Sequence, residues 1–254
     1  MATLACLAVA GCSTAAAPAT ADSAPMADPD ASSAWAPDGS ADMLDASAPA
    51  DAAPPEPYRH SITVDGTSSF TGAEVFSTTT DSYSAYATWD DEALYIGYLA
   101  ADVAAADPGK WLLVYLDVGP GGSPNGERYN TQTPGFPDGF RADYYYRWQS
   151  SGGIEDVTEW SGGAWRAAPQ IAATSARGGS FFEAALPLAD LGDPARLGLV
   201  LLWVNETDGL EAAYGGLYPD SFTDGYHASI PVARYLSIDR ASPLSPNDDG
   251  NRRP

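Results

Sequence analysis

Cysteine is nearly absent: Cys6 and Cys12 are the only two in 254 residues. With both near the N-terminus, the rest of the chain can hold no disulfide, no thiol nucleophile and no cysteine-based metal site, so its core must stand without staples. Histidine is equally scarce. His60 and His227 stand alone, with no nucleophile motif near either. No methionine follows Met43, which removes the Met/His ligand pair of a cytochrome-like haem site. Basic residues are few, 12 against 34 acidic ones, for a formal charge of −22. Eight of the acids precede Arg59, leaving 26 acids and 12 bases in the remainder. Such a surface repels nucleic acid and anionic membranes. It is compatible with neutral sugars, and with cations such as calcium.

What is present begins with Leu7-Ala8-Val9-Ala10-Gly11-Cys12-Ser13, a short apolar run ending in small residues before a cysteine. It resembles a bacterial lipoprotein signal over residues 1–12, and the resemblance implies cleavage before Cys12 and lipidation of its thiol. The run, about ten residues, is too short to cross a bilayer as a helix. No Lys or Arg precedes Arg59, so Met1 reads as an internal start with the basic n-region missing. Ser13 in the following position points, by resemblance to enteric lipoproteins, to the outer membrane. The expected location is the cell envelope, with the membrane reached through the N-terminal lipid alone.

Residues 13–57 are Ala, Pro, Ser, Asp and Thr, with Met26, Trp35, Met43 and Leu44 scattered without period. This composition cannot bury enough surface to offset the entropy of ordering, and seven prolines between Pro18 and Pro55 interrupt any helix, so the segment reads as a disordered acidic tether. At roughly 5–6 Å times the square root of its length, it would hold a domain about 40 Å from its anchor.

Residues 58–241 are long enough for one full core. Their pattern is short strands separated by Gly, Pro, Asn and Asp: Ser61–Val64, Tyr83–Trp89, Leu94–Leu99, Trp111–Asp117, Asp143–Trp148, Phe181–Leu186 and Leu197–Asn205. Trp111–Asp117 and Leu197–Asn205 are apolar on both faces and read as central strands. Only Leu188–Leu191 hints at a helical turn. The expected fold is all-β, an antiparallel, jelly-roll-like β-sandwich. Its expected core includes Val64, Tyr86, Trp89, Leu94, Ile96, Leu113, Tyr115, Leu186, Leu201 and Trp203. Residues 242–254 read as a flexible tail.

Four blocks in order, Val64-Asp65-Gly66, Ala87–Gly97, Trp111–Asp117 and Phe182–Pro187, resemble family 9 carbohydrate-binding modules and the wider DOMON-like sandwich group. The resemblance spans most of 60–240 and implies a β-sandwich that binds sugars or, in some relatives, haem. It does not place a site, because the sugar-stacking tryptophans of the family lie in variable loops.

The residues themselves supply candidates. Sugar C–H faces pack on Trp and Tyr rings while carboxylates, amides and Arg take the hydroxyls. Trp160 and Trp165 flank the Ser161-Gly162-Gly163 turn and are expected to be exposed rings, whereas Trp89, Trp111 and Trp203 sit in strand patterns and read as core. Trp148 shares a strand face with Tyr144 and Tyr146, and either face of that strand could bind ligand. The long polar loop 120–139 adds Arg128 and Tyr129. Asn205 and Glu206 close a buried strand. Glu155, Asp156, Glu159 and Glu183 are available acids, but glycoside hydrolysis needs two carboxylates at a set separation, which a sequence cannot show. The reading is therefore non-enzymatic, with no cofactor expected, and calcium is the one ion suggested: Ser245–Asn251 resembles the start of a calcium loop, without the full spacing. Two functions follow, a lipid-anchored module holding a neutral glycan, and an envelope scaffold binding a protein partner.

Overall fold

The computed structural model describes residues 53–254. The proposed signal with Cys12, and the tether up to residue 52, lie outside the described residues. No helix among the described residues is long and apolar enough to cross a membrane.

The chain forms β1 (Val75–Ser77), β2 (Ser84–Trp89), β3 (Ala93–Leu99), α1 (Ala101–Ala105), β4 (Lys110–Asp117), β5 (Thr133–Gly135), β6 (Tyr144–Gln149), β7 (Glu155–Ser161), β8 (Ala164–Ala167), β9 (Thr174–Gly178), β10 (Phe181–Pro187), β11 (Arg196–Asn205), β12 (Ala212–Tyr214), β13 (Ser229–Pro231), β14 (Tyr235–Asp239) and β15 (Arg252–Arg253). A small antiparallel sheet has the order β1-β2-β3-β10-β9. A large antiparallel sheet has the order β15-β14-β11-β4-β6-β7-β8, with β12 beside the end of β11. β5 and β13 make a separate parallel pair. The fold is an antiparallel β-sandwich.

Alternation along each strand sorts the side chains into layers. Leu112, Val114, Leu116, Tyr146, Trp148, Leu199, Leu201 and Trp203 of the large sheet meet Ala87, Trp89, Leu94, Ile96, Tyr98 and Phe182 of the small one in the main core. The opposite, outer face of the large sheet is covered too. Trp111, Leu113, Tyr115, Tyr145, Val200 and Leu202 pack beneath Tyr129, Phe140, Phe222 and Val232 from the loops and Ile230 from β13. Two covered faces explain why β4 and β11 are apolar throughout rather than alternating: each buried aliphatic side chain contributes about 1.5–3 kcal/mol.

Three expectations are corrected. Ser61–Val64 joins no sheet; it is an extended strap that lays Ile62 and Val64, joined by Phe70 from beyond the next turn, over Tyr95 and Ala185 on the outer face of the small sheet. Tyr86 lies on that face as well, half-buried between Phe70 and Phe181, so it and Val64 stand outside the main core. The segment 242–254 is docked rather than frayed. Asn247 Nδ2 donates to the Gly72 carbonyl at 2.9 Å, Asn251 is buried and donates to Ser245 O, and β15 pairs with β14. Leu188–Leu191 closes as a turn, and the short α1 is an element with no sequence signal.

Candidate functional site: the outer face of the large sheet

The site begins with register. Gly198 pairs with Ser237 on one side and Asp117 on the other, and Trp160 pairs with Trp165. Asp143 bridges them, its N–H donating to Leu116 O at 2.8 Å and its carbonyl accepting from Trp160 N at 2.7 Å. One row on the outer face therefore runs Ser237, Gly198, Asp117, Asp143, Trp160, Trp165. It spans five inter-strand steps, about 24 Å at ~4.8 Å each.

At one end of this row lies an open groove of about 710 Å³, lined chiefly by Asp117, Arg196, Gly198, Tyr235, Ser237 and Asp239. Gly198 leaves room for the Phe140 ring, which a Cβ there would crowd at 3.0 Å. Phe140 lies against the sheet and packs edge-on to Tyr235, centroids 5.3 Å apart, which holds the tyrosine ring at the groove. Arg196 donates to Asp239 at 2.9 Å, so its charge is already paired. Asp117 accepts the Arg141 N–H at 2.8 Å and forms no ion pair among the described residues. Burial raises its pKa, and the neighbouring Asp143 charge adds to the effect. Asp143 is raised by burial too, although it accepts the N–H groups of Val118 and Gly119 and so fixes the chain reversal after β4.

At the other end Trp160 and Trp165 are both half-buried, with centroids 5.3 Å apart at 64°. They form an edge-to-face pair, not a flat platform. Trp165 also meets Tyr145 edge-on at 5.0 Å. Beside them Arg147 holds Asp156 through two hydrogen bonds of 2.5 and 2.8 Å and lies 5.8 Å from the Trp111 ring, while the Tyr145 hydroxyl donates to Glu127. The Asp156 contact raises the Arg147 pKa further, and burial raises that of Glu127.

The other sequence candidates do not share this row. Trp148 faces the main core, 3 % exposed, with its ring 4.4 Å from Phe182 and 6.2 Å from Trp203, so it cannot stack on a ligand. Tyr129 is buried against Trp111. Arg128, Asn205 and Glu206 gather at the opposite end of β4, seven residues or roughly 23 Å from Asp117. There Arg128 donates to Asn130 O, and Gln132 donates to Asn205 O. Asn130, in the left-handed region, directs Nδ2 toward Glu206 O, Asp208 Oδ1 and Glu211 Oε1 at 3.0–3.1 Å. In the C-terminal segment, Asp248 caps Gly250 N while Asn247 and Asn251 tie the turn down, so these side chains serve docking.

Sequence reading missed Arg196, Tyr235, Ser237 and Asp239. Arg196, Tyr235 and Asp239 stand at strand ends and Ser237 in the middle of β14, all with ordinary patterns, and only the β4–β11–β14 pairing joins them. It also missed Tyr226, the most exposed large aromatic among the described residues at 55 %. Comparison with protein-family models, with curated proteins and with solved structures finds no match to the chain.

Proposed function

We propose that this protein is a non-catalytic module that holds a neutral glycan along the outer face of the large sheet and is kept at the cell envelope by lipid on Cys12. The observation that carries the reading is the row itself. A groove with a tyrosine ring, two carboxylates, a guanidinium and a serine hydroxyl lies on one sheet face with a tryptophan pair. Rings for C–H faces and polar groups for hydroxyls are what sugar recognition requires. The row is suited to an oligosaccharide lying across strands, and its open form favours modest affinity, since few contacts become fully buried. The resemblance of the four sequence blocks to family 9 carbohydrate-binding modules points the same way. The test is titration of the full chain with neutral oligosaccharides, followed by tryptophan fluorescence. Saturable change that is lost in Tyr235→Ala supports the reading, and no response to any glycan overturns it.

A second reading, an envelope scaffold that binds a protein, has one observation in its favour. Leu210 is 66 % exposed and Tyr226 55 %, and the Ala213–Gly225 bridge places their two segments side by side. Exposed large apolar side chains brought together are a feature of contact surfaces. Co-purification of an envelope protein that is lost in a Leu210→Ser, Tyr226→Ser double variant, with no glycan response, would establish it instead.

A further inference from the structure

We propose that the groove beside β14 selects glycans that carry a free amine, 2-amino-2-deoxy sugars, over their neutral counterparts and over uronic acids. The inference rests on the glycan-binding reading and departs from it on one point, replacing a neutral ligand by one that carries a positive charge. Three features of the groove support it. Its one guanidinium, Arg196, is held by Asp239, so no unpaired cation lines the groove to receive a uronate carboxylate. Its second carboxylate, Asp117, is half-buried and accepts the backbone N–H of Arg141, whose charge acts on it from beyond the groove lining, and it sits across the strand from another carboxylate, Asp143. An ammonium placed there would gain a charge-assisted hydrogen bond and relieve the repulsion between the two acids. Finally, the Tyr235 ring, set in place by Phe140, lines the groove, where a sugar C–H surface or a cation can meet an aromatic group. The excess of acids over bases beyond the tether adds long-range attraction for a cationic chain and repulsion for an anionic one.

The experiment compares binding of the full chain to three β-1,4- or α-1,4-linked tetrasaccharides of glucosamine, glucose and galacturonic acid. Glucosamine should bind about tenfold or more tighter than glucose, as one hydrogen bond to a charged group supplies. Galacturonate should bind weakest. The amine preference should shrink as salt is raised toward 0.5 M, because an exposed charge contact is screened. Asp117→Asn should bring the glucosamine-to-glucose ratio close to one, whereas Asp81→Asn, an exposed acid away from the groove, should leave it unchanged. If Asp117→Asn fails to fold, the salt dependence of the unaltered chain decides. Equal affinity for glucosamine and glucose overturns the amine preference while leaving glycan binding in place. A preference that falls equally in Asp81→Asn overturns it too, by showing general attraction to an acidic protein. Binding of none of the three removes the glycan reading and this inference together.

Discussion

Glu183 Oε1 accepts the backbone N–H groups of both Asp65 and Gly66, at 2.7 and 2.6 Å, across 118 and 117 residues of chain. Glu183 is fully buried in β10, and the two donors belong to the turn that ends the strap over the small sheet. The contact gives the Val64-Asp65-Gly66 and Phe182-Glu183 blocks a shared physical reason. One carboxylate satisfies two donors of a turn that no strand ladder serves, so the blocks are halves of one fastening. Gly66 has φ +86°, and a Cβ there would lie 2.7 Å from the Arg177 carbonyl carbon.

Removing either half should therefore loosen the strap. Glu183→Ala should destabilise the protein by about 2–4 kcal/mol, since it strips a charged acceptor from two N–H groups. Gly66→Ala should cost a comparable amount through clash and backbone strain. Urea unfolding of both variants checks this, and midpoints equal to that of the unaltered protein would refute the fastening.

The two-layer packing makes a second prediction. Leu113 lies under the loops and Leu201 in the main core, both essentially unexposed. Leu→Ala at either should cost roughly 2–5 kcal/mol, and Trp148→Ala roughly 3–5. If the loops over the outer face were loosely held, Leu113→Ala would be nearly neutral in chemical denaturation, and that outcome would sink the second layer.

Acid should weaken the strap's anchor. Glu74 is buried and accepts from the Tyr58 hydroxyl at 2.8 Å, from His60 Nδ1 at 2.7 Å and from Thr71 N at 2.6 Å. Burial opposes its ionisation, but the donors Thr71, Tyr58 and His60 outweigh it and hold the carboxyl below the usual glutamate range. A carboxyl lowered in the folded state contributes stability that is present above its unfolded pKa and is lost as pH falls through the folded one. Stability should therefore decline below about pH 4.5, and less steeply in Glu74→Gln. Thermal melts from pH 6 to pH 3 measure the difference; parallel curves for the two proteins would remove Glu74 from the account.

The tryptophan pair should separate binding from folding. Trp160→Ala and Trp165→Ala should each weaken glycan binding by about 1–3 kcal/mol, by analogy with stacking on nucleobases. Trp165→Ala should in addition lower stability, because its ring supports Tyr145. Calorimetric titration beside thermal melts checks both, and unaltered affinity in both variants would confine the ligand to the groove.

Cys12→Ser should release the protein from the membrane fraction into the soluble one. Retention of the variant in membranes, fully processed, would overturn the lipid anchor.

Much of the fold was legible because its long strands carry a strong local signal. β4 and β11 announce themselves as unbroken apolar runs, and β6 alternates Tyr146 and Trp148 inward against Tyr145 and Arg147 outward. The short strands β1, β5, β12, β13 and β15 have two or three residues each, and their place comes from partners distant in sequence. The Ser61–Val64 stretch has a strand's composition, yet its backbone forms no ladder, since Glu183 and side-chain packing hold it instead. The site was less legible. Trp160 and Trp165 could be found from their hairpin, but Trp148 differs from them only in which face of its strand meets the other sheet. The groove depends on the register that brings Asp117, Gly198 and Ser237 abreast, which no local window contains.

The strap's first residues have a mechanical meaning. Tyr58 N donates to Ser242 O, and Arg59 reaches both Asp91 and the Arg240 carbonyl, so the segment entering the sandwich is bonded to the segment that follows β14. A pull along the N-terminal segment, with ligand gripped in the groove, would load these surface bonds and the Glu74 cluster before any sheet hydrogen bond. The strap would act as a fuse that peels first, so that tension is released while both sheets and the ligand row stay assembled.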